Sequence, residues 1–409
     1  NIIVDEAHRF RTEQTSSYEL LSQICRGKRV ILVTATPYNN SPRDVLNQIK
    51  LFQPPRKSTI PNLPNLESFF AGLENRLKNL DRQENWHEYV EITKSNSKEI
   101  REKVLKFLMV RRTRSEIEHF FDEDLKKQGV KFPKVSDPVS VFYQFSDEED
   151  DIFQKTIKLI TQDLNYSRYS PMLYYTRPVE KHEQAQKNMK RFMRILFVKR
   201  LESSFFAFRN TLSRFITSYE QFIREFDNGK VWTSSEYSNK VFEYLADENL
   251  DALQKLVEEE KADQYLAEDF DPQFRQLLDK DLFILKEVDR LWQQISHDPK
   301  LEAFVRLMGK DSVLRENKLI IFTESKETAK YLSTNLDLQL GERTLLFSGE
   351  SSHSLREQVI ENFDAKSDSP KNDFRILVTT EVLAEGVNLH MSNVVINYDI
   401  PWNPTRMMQ

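Results

Sequence analysis

Asp5 and Glu6 stand at the end of an apolar run, in Asn1-Ile2-Ile3-Val4-Asp5-Glu6-Ala7-His8. Such a run reads as a buried strand, which would deliver two adjacent carboxylates at its C-terminal edge, where ligands of open α/β sheets bind. Side chains alternate along a strand and its exit, so the two carboxylates can divide labour. One can hold a divalent cation through water, and the other can polarise a water for attack on a phosphate. Without partners the same pair would be solvated carboxylates opening a helix, favoured there by the helix dipole. A second pattern, VILVTATP at 30–37, is a strand ending in Thr34, Ala35 and Thr36. These small residues, two of them hydroxyls, can hydrogen-bond to the Asp-Glu strand. The interval between the strands suits one βα crossover, so both are expected in one parallel sheet.

Three zones must position these residues. Residues 1–52 alternate β-branched runs with helical patterning, as in a parallel α/β sheet. Residues 53–145 open on Pro54, Pro55, Pro61 and Pro64, turn helical, and close on VSVFYQF at 139–145, which reads as one more strand. Residues 146–297 are almost wholly helical. There Leu201, Phe205, Phe208, Leu212, Phe215, Tyr219, Phe222 and Phe226 follow alternating spacings of four and three. That is the seam of a helix packed on a partner helix. Extended back to Lys187, it predicts one helix of roughly 40 residues and about 60 Å. Alpha/beta texture returns over 298–409, with strands at 319–322, 344–347, 375–378 and 394–397 and helices at 325–336 and 352–363.

Composition narrows the function classes. Eight glycines in 409 residues, against roughly 29 at average usage, argue against turn-rich sandwiches and barrels. No stretch matches G-x-x-x-x-G-K-[ST], the loop that wraps nucleotide phosphates. The single Cys25 excludes a disulfide framework or a multi-cysteine zinc site and suits a reducing cytoplasm. No apolar run reaches the ~20 residues of a membrane span. A net charge of −5 gives no global pull toward nucleic acid. Locally, residues 187–214 hold eight Lys/Arg against Glu202 alone, whereas 243–289 hold fifteen Asp/Glu against five Lys/Arg. The acidic stretch reads as a solvated face. The basic stretch, with Lys190, Arg191 and Arg194, is either a solvated face or a phosphate-contacting one. His87, His119, His182, His297, His353 and His390 show no metal spacing with carboxylates. The first residue is not Met and the opening strand is already in progress, so the chain reads as a fragment of something longer.

The motifs resemble superfamily 2 helicases and translocases. DEAH at 5–8 looks like motif II and Thr34-Ala35-Thr36 like motif III. KLIIFTESKETAKYL at 318–332 resembles motif IV, LLFSGESS at 345–352 the strand and loop after it, ILVTTEVLAEGVNL at 376–389 motif V, and NYDIPWNPTRMMQ at 397–409 the run into motif VI. VRRTRSEI at 110–117, FPKV at 132–135, VFYQFSDEED at 141–150, DPKLEAFVRLM at 298–308 and the wording NYDIPWNP narrow the likeness to Swi/Snf-type members. The nearest are bacterial ones that remodel polymerases or accompany DNA defence, including a group that bears a nuclease domain upstream.

The resemblance implies two RecA-like parallel-sheet lobes, the first incomplete, with a large all-helical insertion between them. It implies lobe 1 over 1–52, a helical protrusion and interlobe segment over 53–145, the long-helix insertion over 146–297 and lobe 2 over 298–409. It implies ATP and Mg²⁺ as cofactors, double-stranded DNA as partner, no membrane, and a bacterial cytoplasmic location. Asp5 would hold Mg²⁺ through water, Glu6 would polarise the attacking water, and His8 would couple the nucleotide state to Thr34, Ala35 and Thr36. Thr323, Ser348, Gly349, Thr379 and Thr380, with Lys190, Arg191 and Arg194, would contact nucleic acid. Gly386 and Asn388 would approach the nucleotide, and Arg111 and Arg112 would brace the interlobe segment. The phosphate loop and the motif VI arginines are absent from the sequence, so the chain alone is expected to hydrolyse ATP poorly. The competing expectations are a strand-separating helicase acting on DNA or RNA, and a nucleic-acid-binding scaffold without catalysis.

Overall fold

The computed structural model describes residues 1–38, 41–77, 85–132, 134–177, 180–233, 263–341, 343–349, 351–380 and 387–401. They fall into two units, Asn1–Val141 and Phe142–Gln409.

In the first unit β1 (Ile2–Val4) pairs in parallel with β2 (Val30–Leu32), in the register Ile2↔Val30 to Val4↔Leu32. The connection carries the helix Ser16–Cys25, whose cap is the Thr15 hydroxyl accepting from the Tyr18 amide. Tyr18 in turn donates from its hydroxyl to the carbonyl of Asn47 at 2.8 Å, fastening the crossover to the helix Pro42–Lys50. That helix opens on a Ser41/Asp44 capping box with Pro42 in its first turn, where proline loses no hydrogen bond. Helices Leu66–Leu77 and Trp86–Ile100 complete a layer cored by Leu46, Leu66, Phe70, Leu73 and Val104. The sequence reads β1 as buried; instead Ile3 is 71% and Ile31 58% exposed. Side chains of a strand alternate, and here only one face of the pair is covered.

In the second unit β5 (Leu319–Phe322), β6 (Thr344–Phe347), β7 (Ile376–Thr379) and β8 (Val394–Asn397) form one parallel sheet in the order β6-β7-β5-β8. Helices Lys326–Leu340 and His353–Phe363 lie where the sequence places them, the first running on past 336, and Pro299–Lys310 precedes them; each is started by a capping side chain, Asp298, Ser325 or Ser352. Both faces of its central strands, β5 and β7, are buried. Leu319, Ile321, Ile376 and Val378 meet Leu301, Met308, Leu332 and Leu336 on one side. Ile320, Leu345, Phe347 and Leu377 meet Val359 and Phe363 on the other. Each such side chain removes about 1.5–3 kcal/mol of apolar exposure.

The helical body of this unit corrects two expectations. The seam residues are indeed core, with Leu201 through Phe222 at 7% exposure or less. The single long helix is not present. The helices Glu180–Ser203 and Phe205–Asp227 are separated by Ser204, which is extended (φ −158°, ψ 152°) and caps the second helix through its hydroxyl. The chain folds back there: the Phe197 ring lies 4.7 Å from that of Phe215, positions about 27 Å apart along one straight helix. Aromatic burial on both sides of the break outweighs the helical continuity that the spacing suggests. The second correction concerns 139–145, where no strand forms. No neighbouring strand among the described residues offers that stretch a ladder of hydrogen bonds, and Val139 and Phe142 are 87% and 85% exposed.

The helix Pro272–Trp292 packs along the seam, and one buried carboxylate fixes the loop beside it. Asp281, wholly buried, accepts from the amides of Asn165 and Ser167 at 2.7 and 2.8 Å and from the Tyr219 hydroxyl at 3.0 Å. A buried charge needs such donors to offset its lost hydration. An antiparallel pair, β3 (Lys230–Thr233) with β4 (Asp263–Leu266), ends this body. Part of the acidic stretch, 243–262, lies outside the described residues. No described helix is long and apolar enough to cross a membrane.

Candidate functional site

The exit of β1 is held by main-chain bonds that continue past the strand: Val33 N to Val4 O at 2.8 Å and Ala7 N to Val33 O at 3.0 Å. Between them the chain must turn, and Glu6 takes the left-handed conformation (φ 49°, ψ 46°) before the 3₁₀ turn Ala7–Phe10. A non-glycine residue there costs about 1–2 kcal/mol. Asp5 is exposed, one of its oxygens accepting from the Glu6 amide at 2.9 Å. His8 is buried, with Nδ1 3.3 Å from the Glu6 carboxylate and 3.3 Å from the Thr34 hydroxyl. Thr34 Oγ1 also accepts from the Thr36 amide at 3.2 Å. The turn therefore brings Glu6, His8, Thr34 and Thr36 into one chain of polar contacts, with Asp5 at its open end and Ala35 exposed beside it.

An exposed carboxylate suits Mg²⁺, which takes oxygen ligands, keeps several waters and needs only one or two carboxylates. Asp5 fits as one such ligand. Among the described residues no group of three or more His, Cys, Asp or Glu could hold an ion by itself.

The C-terminal edge of the second sheet gathers the other predicted residues, but in a different state. Thr323 and Thr379 are 3% and 0% exposed. Thr323 donates its hydroxyl to Asp399 Oδ2, and Thr379 donates its own to the carbonyl of Thr380, itself 6% exposed. These hydroxyls are engaged inside the fold and do not face solvent. Ser348 and Gly349 lie at the β6 exit, half-buried and exposed, with the Ser348 amide donating to Ser351 Oγ. Asn388 is exposed; Gly386 lies outside the described residues.

Of the basic stretch, several members serve the interior. Lys199, 8% exposed, pairs with Glu324 at 3.2 Å, Arg214 pairs with Glu327, and Arg209 donates to the carbonyls of Trp292 and Ile295. Arg194 lies over the Tyr166 ring, and burial holds the Lys190 amine below its ordinary range although Asp281 opposes the shift. Arg191 is exposed. Arg111 and Arg112 are exposed at the start of a short helix, Arg114–Phe120. There bonds from the Thr113 amide and hydroxyl, helped by both guanidiniums, hold the Glu116 carboxyl below its usual range.

Sequence reasoning missed Asp399, Ser203, Ser204, Lys300 and Thr328, which form a polar cluster around the β5 and β8 exits. The signal was a Ser-Ser pair interrupting an apolar seam.

Two families match the chain: the SNF2-related domain over residues 1–184 and the helicase conserved C-terminal domain over residues 299–409. The uncharacterized ATP-dependent helicase YqhH of Bacillus subtilis is 34% identical over 122 residues, 30% of this chain and 20% of its own length. The human ATP-dependent RNA helicase DDX19A is 33% identical over 106 residues, 26% of this chain and 20% of its own. The chain spans about a fifth of the length of each. Among solved structures, the Sulfolobus solfataricus SWI2/SNF2 ATPase core in complex with dsDNA aligns over 99% of this chain and 58% of its own, with a TM-score of 0.29 at 14% identity. With the two families in this order, over residues 1–184 and 299–409, the chain belongs to the superfamily 2 helicases of the Swi/Snf type.

Proposed function

We propose that this chain carries part of an ATP-dependent translocase that moves on double-stranded DNA. The observation that carries the reading is the polar chain at the β1 exit, in which Glu6 stands between an exposed Asp5 and a buried His8 joined to Thr34. Asp5 would hold Mg²⁺ through water; when bound, the ion neutralises charge on the β- and γ-phosphates. Glu6 would orient and polarise the attacking water, its left-handed backbone turning the carboxylate away from the line of the strand. His8, too buried to reach substrate freely, would report the state of Glu6 to Thr34 and Thr36. Since no stretch of residues 1–409 matches the phosphate-wrapping loop, this chain alone would turn over ATP slowly. Contacts to DNA would run mainly to phosphates, so local geometry would outweigh the net charge of −5.

The test is Glu6→Gln in a protein that carries this sequence and hydrolyses ATP. DNA-stimulated phosphate release should fall by about 10²–10⁴-fold, the usual weight of a positioned general base, while binding of a fluorescent ATP analogue persists. Loss of both together, or of neither, would sink the assignment. The likeness to an RNA helicase favours one second reading, a strand-separating enzyme. A strand-displacement assay separates the two, because a duplex translocase moves without unwinding.

A further inference from the structure

Asp399, 9% exposed just past β8, is the centre of a buried polar cluster that the proposed ATP chemistry leaves unused. Its Oδ2 accepts from Ser203 Oγ at 2.8 Å, from Thr323 Oγ1, and from the Glu324 amide at 3.0 Å. Its Oδ1 accepts from Lys300 Nζ at 3.2 Å. Lys300 also donates to the carbonyls of Glu202 and Ser203, both at 2.8 Å. Ser203 Oγ and Ser204 Oγ lie 2.7 and 2.8 Å from Thr328 Oγ1. The donors to this one carboxylate thus come from the break in the helical body, from the start of the Pro299–Lys310 helix and from the β5 exit.

Two consequences follow from elementary chemistry. A buried carboxylate is costly unless its lone pairs are satisfied, so a shift of the Glu180–Ser203 helix at its end would strip Asp399 of Ser203 and loosen Lys300. The β5 exit is bound from the other side, since the Thr323 amide donates to Thr379 O at 3.1 Å and Asp399 holds the Glu324 amide. The helix break and the ligand-facing edge of the sheet cannot change independently. A plain stabilising cap would satisfy the same atoms, but it would not need donors from the helix break, from the neighbouring helix start and from the strand exit together.

We infer that Asp399 is a positioning residue through which the break at Ser203–Ser204 sets the conformation of the Thr323–Ser325 loop. Through it the helical body tunes stimulation by nucleic acid without touching ATP. The identity of the stimulus rests on the function proposed above; the mechanical tie does not.

The test uses Ser203→Ala in a protein that carries this sequence and hydrolyses ATP, with amide hydrogen exchange as the first measurement. Exchange at Glu324, Ser325 and Thr328 should quicken by about fivefold or more, as expected for a lost buried hydrogen bond. Unchanged exchange there overturns the inference. The second measurement is ATP turnover titrated with a random-sequence DNA duplex. The half-stimulating DNA concentration should shift by about threefold or more, while the rate without DNA stays within about twofold. A shift in exchange with no shift in stimulation overturns the tuning role. Should Ser203→Ala fail to fold, Lys300→Met loosens the same tie from the neighbouring helix and carries the same expectations. If the unsubstituted protein shows no DNA stimulation at all, the proposed function fails, and the exchange measurement decides the tie alone.

Discussion

The two parallel sheets place polar groups at equivalent edges and treat them in opposite ways. At the β1 exit Asp5 is exposed, Glu6 is half-exposed in a strained conformation, and only His8 is anchored. At the β5 and β7 exits the hydroxyls of Thr323 and Thr379 are buried and hydrogen-bonded within the fold. The sheets differ likewise in their apolar faces. Ile3 and Ile31 are more than half exposed, whereas Ile321 and Ile376 are completely buried. One edge thus bears strain and exposure, and the other is packed and satisfied.

Four substitutions can break or sharpen that contrast, and urea unfolding reads each. Ile321→Ala should cost the most, about 2–5 kcal/mol, because both faces of its sheet are covered and the cavity cannot collapse. Thr323→Val should cost about 1–3 kcal/mol by removing one donor from buried Asp399; a neutral result would mean that the second edge is less committed than its hydrogen bonds imply. Glu6→Gly should instead stabilise by roughly half a kcal/mol. It relieves about 1–2 kcal/mol of left-handed strain and loses about 0.5–1 to glycine's chain entropy. Activity should vanish in the same variant, whereas a destabilised Glu6→Gly would mean that the turn is unstrained. Ile3→Ala, on the uncovered face, should stay within about 0.5 kcal/mol.

A pH experiment extends the contrast. Asp298 caps the Pro299–Lys310 helix through the Leu301 amide, and burial raises its carboxyl above the usual carboxylate range. A raised folded value means that the native state binds more protons across that interval. Its contribution is therefore fully present below the unfolded value and is lost as pH rises through the folded one. Asp298→Asn keeps a capping oxygen and should flatten this acid-side slope; an unchanged slope would assign it to other groups.

Much of the architecture was legible from spacing alone. Short apolar runs at 319–322, 344–347 and 394–397 become strands with those limits, and Ser or Asp caps mark the helix starts. The carboxylate pair and the TAT run are adjacent because two strands one crossover apart pair in parallel. What spacing could not reveal depends on partners distant in sequence. The seam keeps its period straight through Ser203 and Ser204, and only the packing of Phe197 against Phe215 shows that the helix turns back. VSVFYQF has the composition of a strand but no neighbour to pair with. Thr323 reads as a ligand contact until Asp399, far along the chain, takes its proton donor.

The antiparallel pairing of β3 with β4 has a topological consequence of its own. Thr233 lies opposite Asp263, so the interval 234–262 departs from and returns to neighbouring points of the body. A loop closed at its base adds little entropy as it lengthens, only about 0.6 kcal/mol for each doubling. Closing the chain between Thr233 and Asp263 should therefore cost nearly the same whatever length of sequence joins them.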